Sequence, residues 1–136
     1  YDRSLALRYD NAMVLNNYAY FLSLEGRDLE RALAMAGRAI VLEENNPTYL
    51  DTYAWVLYRL GRYDEAKKTM QQALSLDRSQ SPDLQLHYGD ILAALGEKFM
   101  AEVYWKKALE GGYDDPDAIV ERFRRLKEAA QTPAAP

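Results

Sequence analysis

Apolar and polar positions alternate with a helical period along most of the chain, and the helices that this predicts come in pairs. Between Pro47 and Asp77, Leu50, Tyr53, Ala54, Leu57 and Leu60 recur at spacings of three and four, which puts them on one helix face. Ala66, Met70, Ala73, Leu74 and Leu76 repeat the pattern in a second segment. The two are joined by Leu60-Gly61-Arg62-Tyr63, with Gly61 where a helix end favours a left-handed backbone. Neither stripe can be buried within its own helix, so the pair requires neighbours.

Those neighbours are visible as copies. Moving 35 residues toward the N-terminus from Tyr53-Ala54, Leu57 and Gly61 reaches Tyr18-Ala19, Leu22 and Gly26. Moving 35 the other way reaches Tyr88-Gly89, Leu92 and Gly96. In the second helices Ala66 and Ala73 match Ala32 and Ala39 at 34 residues and Ala101 and Ala108 at 35. The difference places an extra residue in the turn Gly26-Arg27-Asp28-Leu29. Small, large and glycine columns recurring together at one period define a repeat protein.

The starts of the helices are marked as well. Asn46-Pro47, Ser81-Pro82 and Asp115-Pro116 each pair a capping side chain with a proline at the first helical position, and Asp28 reads as the N-cap of the second helix of copy one. The expected organisation is a single all-α domain over 1–130. Its copies occupy 11–45, 46–80 and 81–112, and a C-terminal helix over 115–130 follows them. In that helix Ile119, Phe123 and Leu126 share one side, as a terminal element covering the last apolar face would. Residues 1–10 read as the end of a truncated upstream repeat, with a frayed tail as the alternative, and 131–136 as a disordered tail. A chain beginning at Tyr1 rather than Met reads as a piece of a longer protein.

At these residues the chain resembles the tetratricopeptide repeat family, whose unit is a helix pair of about 34 residues. The central copy carries the family pattern as Leu50, Tyr53-Ala54, Leu57, Gly61, Tyr63, Ala66, Met70 and Ala73. The third carries it as Tyr88-Gly89, Leu92, Gly96, Ala101, Trp105 and Ala108. Copy one departs from it with Ala36 at an aromatic position, and copy three with Gln85 at a large apolar one. The resemblance covers roughly residues 12–110 and implies an α-solenoid of antiparallel helix pairs. The small columns Ala19/Ala54/Gly89, Ala32/Ala66/Ala101 and Ala39/Ala73/Ala108 fit that reading physically, because helices approach to ~8 Å only where no bulky side chain intervenes.

Composition narrows the function. A net charge of −4 argues against nucleic acid or an acidic membrane as a partner. The absence of cysteine excludes disulfides, thiolate metal sites and a cysteine nucleophile. No apolar run approaches the ~20 residues that span a bilayer. The single histidine, His87, has no metal-spaced partner. Asp114-Asp115-Pro116-Asp117 lacks the spacing of a calcium loop and is explained by helix capping. No phosphate-cradling glycine loop and no convergent acid, base or nucleophile is present. The expectation is therefore no enzyme, no cofactor, no metal and no small-molecule substrate.

What remains is surface. The family resemblance implies a concave groove lined by the first helices of successive repeats. Carried over by position, its lining is Met13, Asn16, Tyr20, Ser23 and Leu24, then Thr48, Asp51, Trp55, Tyr58 and Arg59. From copy three come Asp83, Leu86, Asp90, Ala93 and Ala94. The residues expected to carry binding are Asn16, Tyr20, Asp51, Trp55, Tyr58, Arg59, Leu86 and Asp90. Trp55 and Tyr58 lie one residue past the core stripe, about 100° away around the helix, where an aromatic either packs between repeats or faces a partner. The basic clamp that some relatives use for a peptide carboxylate is not matched, since copy three offers Leu86, Asp90, Ala93 and Ala94 there.

The function this implies is a scaffold that binds a protein or peptide segment in the groove. The alternative is an architectural segment of a larger protein that spaces domains or self-associates. The resemblance has a bacterial flavour and is compatible with the cytoplasm or the periplasmic side of a cell envelope.

Overall fold

The computed structural model describes residues 11–131, so the readings of residues 1–10 and of the tail beyond Gln131 lie outside the described residues. Seven helices make up the regular structure among the described residues. They are α1 (Ala12–Glu25), α2 (Leu29–Leu42), α3 (Pro47–Arg59), α4 (Tyr63–Leu76), α5 (Pro82–Ala94), α6 (Lys98–Glu110) and α7 (Pro116–Gln131). They belong to two compact units that divide after Ser79. In the first, α1 pairs with α2 and α3 with α4, while α3 also packs against α1 and α2; in the second, α5 pairs with α6, and α7 rests on α6.

Local chemistry sets the helix boundaries. Asn11 Oδ1 accepts from Val14 N–H (3.1 Å), and Asn46 Oδ1 accepts from Thr48 and Tyr49 N–H (2.9 and 3.2 Å). Each satisfies donors that a helix start leaves without partners. Asp115 Oδ1 accepts a longer bond from Ala118 N–H, at 3.3 Å. Two expected caps are corrected. Asp28 takes a left-handed backbone (φ 50°) and makes no capping bond with its side chain. It absorbs the extra residue of that turn, and this conformation carries its carboxylate away from the helix start. Ser81 precedes α5 as expected, yet its side chain also makes no cap bond; Pro82 starts that helix by fixing its backbone.

The helix ends share one device. Arg62 N–H donates to Leu57 C=O and Glu97 N–H to Leu92 C=O, both at 2.9 Å, around Gly61 and Gly96 with φ of 82° and 83°. This six-to-one bond closes the last turn and reverses the chain, and a left-handed residue is its requirement.

In the first unit Ala12, Leu15, Ala19, Leu22, Ala32, Met35, Ala36, Ala39, Tyr49 and Val56 form one buried cluster. In the second, Leu84, Tyr88, Ile91, Leu92, Trp105 and Ile119 are buried. The α5–α6 crossing shows why the small column exists. A Cβ on Gly89 would lie 2.4 Å from Trp105 Cδ1 and 2.6 Å from its Nε1. Only glycine lets an indole fill that crossing. Where the central copy carries Ala54, the partner position holds the slimmer Met70, and in copy one Ala19 is matched with Ala36. Gly89 with Trp105 and Ala54 with Met70 trade bulk across the crossing, as close packing demands, whereas Ala19 with Ala36 is a smaller pair.

Candidate partner-binding surface

The expected binding residues separate into two sets. Asn16 and Tyr20 on α1 and Asp51, Trp55, Tyr58 and Arg59 on α3 are brought into the first unit, where these two first helices pack beside each other. Leu86 and Asp90 belong to α5 in the second unit.

Along α1, Met13, Tyr20 and Leu24 fall on one side, seven and eleven residues apart. Met13 is 57% exposed, Leu24 59%, and Tyr20 half-buried. On α3 the half-buried rings of Trp55 and Tyr58 stack with centroids 4.6 Å apart and an interplanar angle of 18°. Tyr63, at the start of α4, continues the series at 5.6 Å from Tyr58. One turn apart on a helix, two aromatic side chains stack readily, and the stack holds both rings at low entropic cost. Arg59 is exposed, and its guanidinium lies against the α1–α2 turn, 2.8 Å from where a Cβ on Gly26 would stand. The strip thus has aromatic and aliphatic members on two adjacent helices and a cation at one end.

Other expected members are inside. Asn16, Asp51 and Leu86 are buried, and Ser23 is fully buried with its hydroxyl donating to Tyr20 C=O at 2.6 Å. Asn16 Oδ1 is buried without a hydrogen-bond partner among the described residues.

Asp90 stands out. Its Oδ1 accepts from Trp105 Nε1 (2.9 Å) and from Arg122 Nε (2.7 Å), and its Oδ2 from Arg122 Nη2 (2.9 Å). The basic group that meets this carboxylate comes from within the chain, on α7. Phe123 meets Trp105 edge-on at 5.8 Å, and Ile119 is fully buried. Periodicity places Arg122 off the side of α7 that carries Ile119, Phe123 and Leu126. The sequence signal that identifies it is weak: an arginine between Ile119 and Phe123, long enough to reach around the helix.

Titration behaviour adds little at the strip. Tyr49 is raised above the usual tyrosine value, first by burial and then by the carboxylate of Glu43. On α7, Glu121 is held down to about 2, chiefly by its hydrogen bond to Arg124, with Arg125 adding to it. Among the described residues no three histidine, aspartate or glutamate side chains converge as a metal set, and no helix is long and apolar enough to cross a membrane.

Helix pairs in register, small residues at their crossings and a further helix resting on the third pair define an all-α helical-repeat protein. A tetratricopeptide repeat profile matches residues 47–79. A TPR repeat-containing protein of Pseudomonas aeruginosa is 30% identical over 86 residues, which is 63% of this chain. The aligned part is 14% of that relative's length. The fold is similar to the Yersinia enterocolitica type III secretion translocator chaperone SycD, with a TM-score of 0.74, 19% identity, and 90% and 96% of the two chains covered. It is also similar to the first TPR of Spaghetti (RPAP3) solved with an HSP90 peptide, with a TM-score of 0.75, 19% identity, and 89% and 94% covered. Residues 47–79 thus match a tetratricopeptide repeat, and the described helices share the helical-repeat fold of tetratricopeptide repeat proteins.

Proposed function

We propose that this chain is a protein-interaction scaffold that binds an extended peptide segment of a partner along its first helices, with α1 and α3 as the principal contact. The observation that carries this reading is the strip of Met13, Tyr20 and Leu24 beside the stacked Trp55 and Tyr58. Large apolar side chains left exposed on one side of a helix mark an interaction site more often than a random surface does. Aromatic residues and arginine are the types that dominate binding hot spots. The structural neighbour solved with an HSP90 peptide gives a precedent for peptide binding on this fold.

The segment that suits this strip has apolar anchors spaced for two adjacent helices and an acidic group toward Arg59. A catalytic role has no convergent groups to support it. Selection of peptides from a displayed library on the parent chain tests the reading. Selected peptides should share apolar anchors and lose affinity on Trp55→Ala. A library that yields no enriched peptide, or peptides indifferent to Trp55 and Tyr58, would overturn it.

A further inference from the structure

We propose that the cleft between the start of α6 and the far end of α7 is a second docking site, and that it takes an acidic segment of a protein partner with a large apolar anchor. The site is separate from the α1–α3 strip, and the inference stands whether or not that strip binds peptide.

The cleft measures about 540 Å³ and is lined by Lys98, Phe99 and Glu102 of α6 and by Phe123, Leu126 and Lys127 of α7. Its α6 wall breaks a rule that the other second helices keep. Helix starts favour acidic side chains, because the backbone N–H groups there carry partial positive charge. Glu30 of α2 and Asp64 of α4 obey it. Phe99 stands at the matching position of α6, 75% exposed, and the first turn of that helix holds no acidic residue. Local rules broken at no gain to the fold are expected at functional positions.

The repeat does not fill this cleft as it fills the matching one. Counted from the proline that starts each helix, Phe123 and Leu126 of α7 correspond to Ala54 and Leu57 of α3. Those two are buried where α4 folds back on α3, whereas Phe123 and Leu126 stay half-buried. Two features of α7 work against a helix folding back in the same way. The glycine that turns the chain, Gly61 after α3 and Gly96 after α5, is replaced by Ala130, and α7 stays helical through it. Phe123 also puts a bulky ring into the small column of the crossing. The segment that follows, Thr-Pro-Ala-Ala-Pro at 132–136, carries no acidic side chain.

The charges name the occupant. Lys98 and Lys127 are exposed, one on each wall, and neither makes an ion pair among the described residues. Ammonium groups on both sides of aromatic and aliphatic side chains suit carboxylates on both sides of an apolar anchor. Glu102, the carboxylate in the lining, disfavours acid at the anchor itself. The partner segment therefore reads acidic, apolar, acidic, with a leucine or an aromatic ring meeting Phe99 and Phe123.

The probe is a displayed library of peptides with glutamate on both flanks of a short random core, selected on the full chain at low salt. The expected result is an enriched class with a leucine or aromatic core residue, whose binding shifts the NMR signals of Phe99, Phe123 and Leu126. Lys98→Glu combined with Lys127→Glu should lower its affinity at least about tenfold, and Phe99→Ser at least about fivefold. The melting temperature should stay unchanged in both, because these side chains are exposed. Should Phe99→Ser disturb folding, the charge-reversed chain decides alone. Arg59→Ala should leave the affinity unchanged, which keeps this site distinguishable from the α1–α3 strip. Absence of such a class, or affinity that falls with Arg59→Ala and not with the lysine pair, overturns the proposal. So do nuclear Overhauser contacts between the Phe99 ring and residues 132–136 in the free chain, since the chain's own residues would then hold the cleft.

Discussion

Trp55 and Asp90 occupy the same position in successive copies, 35 residues apart, and serve opposite ends. In the first unit Trp55 stacks on Tyr58 beside exposed aliphatic side chains of α1. In the second, Asp90 is buried under three hydrogen bonds from Trp105 and Arg122, and Arg122 is brought by α7, which rests on α6. A repeat column fixes where a side chain points. The residue placed there decides whether that position stacks on a ring of its own helix or is met by a charge from another helix. The crossings obey the same logic, with Gly89 against Trp105 in one unit and Ala54 against the slimmer Met70 in the other.

The largest break in this comparison comes from Asp90→Ala. It leaves Arg122 and the Trp105 indole N–H without their acceptor, and should destabilise the second unit by about 2–4 kcal/mol. The figure stays below that of a fully buried pair because 30% of the Arg122 side chain is exposed. Chemical denaturation of parent and variant checks it, and an unchanged midpoint would show that α7 is held by Ile119 and Phe123 alone.

Next come the crossings. Gly89→Ala forces a methyl group into the Trp105 ring and should cost about 1–3 kcal/mol, and Ala66→Leu should cost a similar amount in the central copy. Thermal melts of both variants test whether the small columns are packing requirements. A melting temperature equal to the parent's for Ala66→Leu would require the register to be redrawn.

The fold was legible in the sequence because its signals are periodic. Helix spacing, the 35-residue shift and the glycines at the helix ends each recur, and each recurrence reinforces the others. The central aromatic pair was legible for the same reason, since Trp55 and Tyr58 step off the core stripe together. The burial of Asn16, Asp51 and Leu86 was not, because a face assigned by register says nothing of how deeply neighbouring helices cover it. The Asp90–Arg122 contact spans 32 residues and joins two polar residues that hydropathy assigns to the surface. Only packing shows that one of them is inside. Asp28 failed as a cap because an inserted residue altered its backbone, and composition does not record φ.

The smallest effect is electrostatic and lies on α7. Glu121 is held to about 2 by Arg124 and Arg125 against an ordinary value of 4.5. Its depressed value means that it favours the folded helix above the ordinary carboxylate range, and that this contribution is lost as pH falls from there through about 2. All of these groups are on the surface, so salt should screen the effect. Helicity of the parent and of Glu121→Gln, followed by circular dichroism from pH 6 to 2 at low and high salt, should differ slightly at low salt and converge at high salt. A difference that persists at high salt would mean that the pair is shielded from solvent.

The central claim, that the α1–α3 strip is the working surface, is tested most directly by measuring binding and thermal stability on the same samples of Trp55→Ala, Tyr58→Ala and Lys68→Ala. The ligand is a peptide selected on the parent chain. Both aromatic variants should lose more than ~1 kcal/mol of binding, roughly fivefold in affinity, with their melting transitions nearly intact. Lys68→Ala, on the exposed side of α4, should bind like the parent. If both aromatic variants fold and bind normally while Lys68→Ala does not, the working face is the opposite one. If Trp55→Ala instead unfolds the chain, the indole belongs to the packing, and the strip is not the surface proposed.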